Sequence, residues 1–242
     1  MGGTMKKILI VTSIAVILII SVVYLVNEFS KHRTFQLFGE LVSDVETEEK
    51  VVALTFDDGP GVYTDQILDI LRDHDVKGTF YLIGEEMENH FEDTKLIVEE
   101  GHEIGNHSYT HSRMIFKSYS FIQDEIEKTD ELIREAGYEG DITFRPPYGR
   151  KLVMLPLYLS NQDREAIMWN IEPDTDPEMA KSPQMMAEHV AENIEPGSII
   201  LLHVMNEWRK DSLEAVEPII TSLKEEGYSF VTVSELLDIK KQ

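Results

Sequence analysis

The chain has 242 residues, no cysteine and a formal net charge of −23, from 45 acidic against 22 basic side chains. Its length allows one sizeable domain plus an appendage. The lack of thiols excludes disulfides and cysteine metal ligands, and the acidity excludes a general basic surface for nucleic acid backbone.

The N-terminus stands apart. Ile8 to Val26 is a nineteen-residue run without a charge, and about 20 apolar residues span a bilayer. Lys6 and Lys7 precede it and favour a cytoplasmic N-terminus, with Lys31, His32 and Arg33 as a counterweight beyond it. A cleaved signal peptide has a shorter apolar core of about 7–15 residues and a small-residue cleavage site. The run ends in "SVVYLVNEF", which lacks such a site. The expectation is an uncleaved single-pass anchor over residues 1–30, a linker over 31–48 and an extracytoplasmic domain over 49–242, secreted instead if the N-terminal segment is removed.

Within the domain, short apolar runs alternate with helical patterns. Strands are predicted at 51–56, 78–84, 142–147, 166–172, 198–204 and 229–233, with a short one at 103–107. Helices are predicted at 63–75, 93–101, 121–137, 182–197 and 212–227. Ser182 is the expected N-cap of the fourth, with Pro183 in its first turn. Strands apolar on both faces and separated by helices indicate a parallel sheet. About seven such units predict an α/β fold, a distorted or incomplete (β/α) barrel, with an open doubly wound sheet as the alternative.

Ligands of parallel α/β folds bind beyond the carboxyl ends of the strands, where the polar residues of this chain gather. Asp57 and Asp58 end the first strand, His107 and His111 follow "EIGN", Arg145 ends "ITF", Glu172 and Asp174 follow "IMWNI", and His203 ends "SIILL". Histidines four apart share a face if the segment is helical, so both imidazoles could reach one ion. With Asp58 as third ligand they make an open three-ligand site of the kind catalytic zinc uses. A dication there would relieve the repulsion between Asp58 and Asp57 and leave Asp57 free as a general base. Singly, each feature has a plain structural reading: a turn, a surface helix, a core histidine, a salt-bridged arginine. Their common placement favours the site.

"TFDDGP" (55–60), "HSYTH" (107–111), "RPPYG" (145–149) and "LLH" (201–203) occur in that order. They resemble the signature motifs of the polysaccharide deacetylases, the NodB homology domain or carbohydrate esterase family 4, over most of residues 50–235. The resemblance implies a distorted (β/α) barrel and metal-dependent removal of N-acetyl groups from a glycan. Peptidoglycan or another N-acetylglucosamine polymer is the expected substrate. Asp58, His107 and His111 would hold the metal, zinc first, with Co²⁺, Mn²⁺ or Ni²⁺ as alternatives. Asp57 would be the base and Arg145 its orienting partner. The Tyr148 N–H, beside Pro147, would serve the oxyanion, and Leu201 would line the acetyl pocket. His203 would be the acid. The Asp-Trp pair common in the family after the fifth strand is absent from "MWNIEPDTDP" (168–177). Asp174 is the expected substitute, ahead of Asp176 and Glu172, and Trp208 or Tyr148 is the candidate for the missing aromatic wall. The alternatives are a non-catalytic carbohydrate-binding or wall-organising protein, and a deacetylase of an O-acetylated or non-polymeric substrate. The expected partners are the N-acetylated glycan and, through the N-terminal helix, the membrane. Nucleic acid is not expected, and no protein partner is inferable.

Overall fold

The structure, a computed structural model, describes residues 2–240. Helix α1 (Gly2–Ser30) contains the apolar run and is long and apolar enough to cross a membrane. At 1.5 Å per residue the nineteen residues Ile8–Val26 rise about 28 Å, close to the hydrocarbon thickness of a bilayer.

The domain follows as β1 (Leu41–Val42), β2 (Val51–Gly59), α2 (Thr64–Asp73), β3 (Thr79–Leu82), α3 (Gly84–Asn89), α4 (Phe91–Glu99) and β4 (Glu103–Asn106). Then come α5 (Tyr119–Glu135), α6 (Met154–Asn161), β5 (Ala166–Ile167), α7 (Pro183–Asn193), β6 (Ile199–Leu202), α8 (Lys210–Glu225), β7 (Ser229–Val231) and α9 (Val233–Lys240). All strand pairs are parallel. The long strand β2 is the hub. β6 lies along one edge, while β7 pairs with the N-terminal half of the other edge and β3 with its C-terminal half. β3 pairs with β4. Single bridges continue the ring, Asn106 to Phe144, Phe144 to Ala166 and Ile171 to Ile200. The result is the distorted barrel of about seven strand positions, closed on one side by bridges rather than full strands.

Three expectations are revised. The strand expected over 142–147 shrinks to the bridge at Phe144, because Pro146 and Pro147 lack the N–H donors a ladder needs. The expected linker over 31–48 carries β1, which pairs with β5 and buries Val42 and Val45, each 2% exposed. Short helices α3, α6 and α9 lie in segments where no helix is predicted. The Ser182 cap is present, its hydroxyl accepting from the Met185 N–H at 3.2 Å.

Side-chain alternation along the strands sorts the core. Val52, Leu54, Phe56, Phe80, Leu82, Ile200 and Leu202 pack outward, in one cluster with Ile67 and Leu71 of α2 and Ile219, Ile220 and Leu223 of α8. Val51, Ala53, Tyr81, Ile199 and Leu201 belong to the inner cluster, with Val42, Val45 and Trp169. The inward rows 51-53-55-57 and 199-201-203 therefore deliver Asp57 and His203 to the same mouth. Gly105 of β4 makes room inside: a Cβ there would lie 2.3 Å from the Tyr81 ring.

The β1 segment is locked to the barrel at Gly197. Its φ is +83°, a Cβ would lie 1.7 Å from the Val45 carbonyl oxygen, and its own carbonyl accepts from the Val45 N–H at 2.9 Å. Gly197→Ala is expected to destabilise the domain by about 3 kcal/mol, read as a lower urea midpoint, because backbone must move. Gly137→Ala, where φ is +95° but the space is open, should cost only about 1 kcal/mol.

Candidate active site

Two adjacent carboxylates on a regular strand would face opposite sides. β2 avoids this with a bulge. Asp57 pairs with Tyr81 and Gly59 with Leu82, so Asp58 is the extra residue, with φ of 67°. The bulge re-aims Asp58 into the mouth beside Asp57. Positive φ recurs at His111 and Tyr148, which line the same cavity, and at Ser108 next to His107, as expected where backbone strain is held by the surrounding structure.

Asp57 is 2% exposed and Arg145 is 0% exposed. Arg145 Nη1 donates to Asp57 Oδ1 at 2.7 Å and to the Thr55 hydroxyl at 2.8 Å. Its other nitrogens reach the carbonyls of Ile167 and Met168 at 3.4 and 3.2 Å. The guanidinium carbon lies 4.0 Å from the Tyr81 ring centroid and 5.6 Å from that of Trp169. The charge is thus paired, hydrogen-bonded and covered by aromatic faces, the conditions under which a buried ion pair is tolerated. Asp57 Oδ2 stays turned to the mouth, 3.6 Å from His107 Nε2.

The segment 107–111 is an irregular loop, not the helical turn expected from its spacing. Asn106 braces it, donating to the Ile126 carbonyl and Asp130 and accepting from the Ser108 N–H. Glu125 accepts from both the N–H and the hydroxyl of Thr110. The loop still brings the two imidazoles together, centroids 5.0 Å apart. His107 Nδ1 lies 2.8 Å from the Arg145 carbonyl, which can only accept, so Nδ1 carries the hydrogen and Nε2 presents its lone pair. His111 Nε2 is 3.1 Å and His107 Nε2 3.5 Å from Asp58 Oδ1. Burial, then the neighbouring His107, pushes the His111 imidazole down to about 4, so at neutral pH it too offers a lone pair. Burial alone would raise the Asp58 carboxyl, but His107, His203 and His111 outweigh it and hold it well below the usual range.

Asp58 Oδ1 is buried without a hydrogen-bond partner, an arrangement that costs free energy unless something else binds there. One ligand atom from each of Asp58, His107 and His111 lies within 4.8 Å of the others. An orphaned carboxylate oxygen facing two imidazole lone pairs fits a divalent cation.

Opposite this trio, His203 Nδ1 lies 3.2 Å from Asp174 Oδ2, and its backbone N–H donates to the same oxygen at 2.7 Å. Burial lowers the His203 imidazole, but the Asp174 hydrogen bond and charge, with Asp57 and Asp58, raise it to about 9. Of the three acidic candidates, only Asp174 meets His203 in this way. Glu172 accepts from Trp169 Nε1 at 2.6 Å, and Asp176 caps the Glu178 and Met179 N–H groups.

The cavity of about 380 Å³ is lined by Asp57, Asp58, His107, His111, Tyr148, Leu201 and His203, among others. The Tyr148 and His111 ring centroids are 4.5 Å apart with the rings tilted by 41°, and the neighbouring Pro147 is buried. The aromatic wall is Trp169, with Tyr148. Trp208 is 77% exposed and does not line the cavity. Trp169, Arg150 and Arg209 line it without having been singled out in the sequence, and so do Lys31 and Arg33, which the sequence marked only as the flank of the apolar run. Trp169 follows the last residue of β5 by two, and that alternation was the available signal. The four cations carried no motif. His102, just before β4, accepts from the Gly78 N–H at 3.2 Å, with burial holding its imidazole down at about 4.

Comparison with known proteins identifies the family. The family model described as polysaccharide deacetylase matches residues 44–164. A peptidoglycan-N-acetylglucosamine deacetylase of Bacillus cereus is 37% identical over 194 residues, 79% of this chain and 70% of the relative. In structure, the Bc1960 peptidoglycan N-acetylglucosamine deacetylase aligns with a TM-score of 0.75 and 34% identity, over 80% of this chain and 91% of that one. A carbohydrate esterase family 4 pseudoenzyme of Bacillus anthracis, BA3943, aligns with a TM-score of 0.73 and 33% identity, over 81% and 68%. From the matched family model, the shared barrel and these relatives, it follows that the chain belongs to the polysaccharide deacetylase family.

Proposed function

We propose that the chain hydrolyses N-acetyl groups of a cell-wall glycan, peptidoglycan or another N-acetylglucosamine polymer, with a divalent metal held by Asp58, His107 and His111. The observation that carries this reading is the split of two neighbouring carboxylates: Asp57 is paired with Arg145, and Asp58 is turned to two imidazoles. When bound, the cation supplies a Lewis acid for the acetyl carbonyl and lowers the pKa of water. Zinc suits two nitrogens and one carboxylate, and Co²⁺, Mn²⁺ or Ni²⁺ fit the same donors.

The remaining steps fall to the chain's own side chains. Asp57 Oδ2 takes the proton of the attacking water while Arg145 fixes Oδ1. The Tyr148 N–H, held in its turn after Pro146 and Pro147, is assigned to the carbonyl oxygen as it becomes negative, a donor of a kind worth about 3–4 kcal/mol. Leu201 and Trp169 wall the methyl group. His203 Nε2 protonates the nitrogen as the carbon–nitrogen bond breaks, with Asp174 holding Nδ1. Acetate and the free amine leave. Relatives named as peptidoglycan deacetylases support the substrate class. The charge-free run Ile8–Val26 supports a single-pass membrane anchor with the domain outside the cytoplasm.

A non-catalytic, wall-binding role has a precedent in the pseudoenzyme neighbour. The acid–base pair argues against it, because binding alone needs neither a base paired with a buried arginine nor a histidine kept protonated.

Asp57→Asn and His203→Ala are each expected to lower acetate release by about 10²–10⁴-fold, measured on peptidoglycan and on N-acetylglucosamine oligomers. Chelation should abolish activity, and added Zn²⁺ or Co²⁺ should restore it. The acid must carry its proton, so the rate should fall as pH rises through about 9. Asp174→Asn removes the largest raising influence on His203, so the alkaline limb of its kcat profile should move to lower pH. An unmoved limb would contradict the role given to Asp174.

A further inference from the structure

One wall of the cavity follows directly from the apolar helix. α1 runs to Ser30, and Lys31 and Arg33 already line the cavity with the carboxylates and His203. The junction is braced on the domain side. The Lys151 N–H donates to the Ser30 carbonyl at 2.8 Å, and the Lys151 ammonium reaches the His32 carbonyl. Arg150 Nη1 donates to the Asn27 carbonyl at 3.1 Å, to Asn27 Oδ1 at 2.9 Å and to the Ser30 hydroxyl at 2.8 Å. Arg33 pairs with Glu172 at 2.7 Å and lies 4.6 Å over the Trp169 ring. This leaves no slack chain between helix and cleft.

That brace fixes the height of the cleft. From Val26, the last residue of the apolar run, to Ser30 the helix rises about 6 Å. A bilayer's polar layer is about 5–8 Å deep on each side. With the apolar run spanning the bilayer as proposed, the cleft wall at Lys31 and Arg33 would stand at the level of lipid phosphates. The flanking Phe35, Leu37 and Phe38 are 51%, 46% and 42% exposed, a composition suited to that interface. The charge is also out of keeping with the rest of the chain. Against 45 acidic and 22 basic residues overall, the cavity sets Lys31, Arg33, Arg150 and Arg209 beside Asp57, Asp58 and Glu172, close to balance. The hydrogen bonds of Arg150 go to neutral oxygens, while Lys31 is paired with Glu28 at 2.9 Å and the Arg150 charge also acts on Glu28, so an anion entering here would compete with Glu28 for these two cations.

We propose that the cleft takes its glycan while the glycan is still carried on the outer leaflet by a lipid phosphate or diphosphate, with Arg150, Lys31 and Arg33 meeting the anionic linkage. The inference rests on the deacetylase reading and narrows its substrate class. A guanidinium and an ammonium at phosphate height recognise a charged linkage that a finished wall polymer lacks. The sugar then extends past Trp169 and Tyr148 to the carboxylates.

The test uses the full chain with Zn²⁺ in phosphatidylcholine nanodiscs, which keep bulk anionic lipid out of the comparison. One substrate is a polyprenyl-diphosphate-linked disaccharide containing N-acetylglucosamine, in the same disc. The other is the soluble N-acetylglucosamine tetramer. The lipid-linked sugar is expected to show at least about a tenfold higher kcat/KM. Lys31→Gln with Arg150→Gln should erase most of that advantage through KM, and Arg150→Lys should retain it. Because the chain has no cysteine, Thr34→Cys carries a single fluorophore, which headgroup-level nitroxide lipids should quench in parent and double variant alike. Equal efficiency on both substrates, an advantage that survives the double variant, or an unquenched probe would overturn the proposal. Acetate from neither substrate would overturn the deacetylase reading beneath it.

Discussion

The buried ion pair between Arg145 and Asp57 organises the inside of the barrel. A guanidinium with no exposed surface holds Thr55, Asp57 and the carbonyls of Ile167 and Met168. It therefore ties the hub strand to the weakly bridged side of the ring, where regular pairing fails. Its backbone carbonyl also accepts from His107 Nδ1, which sets the tautomer of a candidate metal ligand. Removing either charge would strand the other in the interior at a cost of about 3–5 kcal/mol.

A second constraint depends on the first. The base role proposed for Asp57 requires its neighbour to be drawn elsewhere, and the bulge at Asp58 does this with a left-handed residue. On a regular strand the Asp58 side chain would enter the helix-facing layer with Phe56 and Leu82. In the bulge it meets His107 and His111. The same mouth receives His203 because it ends the inward row of β6, where Asp174, wholly buried at its side chain, keeps it oriented and protonated. The proposed acid and base line one cavity, and each is held by an oppositely charged partner.

Much of this was legible in the sequence because the informative residues are chemically rare at strand ends. A paired Asp-Asp after an apolar run, an arginine before two prolines and a histidine ending a buried strand have few structural reasons to exist together. The alternation of strands and helices carried the barrel. What stayed hidden has physical causes. A spacing of four histidine-to-histidine positions fits a helix or a tight loop, and only the Asn106 and Glu125 hydrogen bonds decide for the loop. Phe144 reads as the centre of a strand, yet the prolines after it leave one bridge. Residues 31–48 look like a tether because their periodicity is short, and the pairing that orders them lies over a hundred positions away in β5. Trp169 and the cavity cations carry no local pattern, because contacts distant in sequence bring them to the cleft.

The account stands on a division of labour between adjacent aspartates, and metal affinity measures it most directly. Calorimetric titration of Zn²⁺ or Co²⁺ into the chelator-treated protein should give one site per chain. Asp57→Asn should keep that site with little change in affinity, while Asp58→Asn and His107→Ala should weaken it by two orders of magnitude or more, about 10–100-fold being typical already for lost outer partners of a ligand. Loss of binding in Asp57→Asn, or full binding in Asp58→Asn, would contradict the assignment.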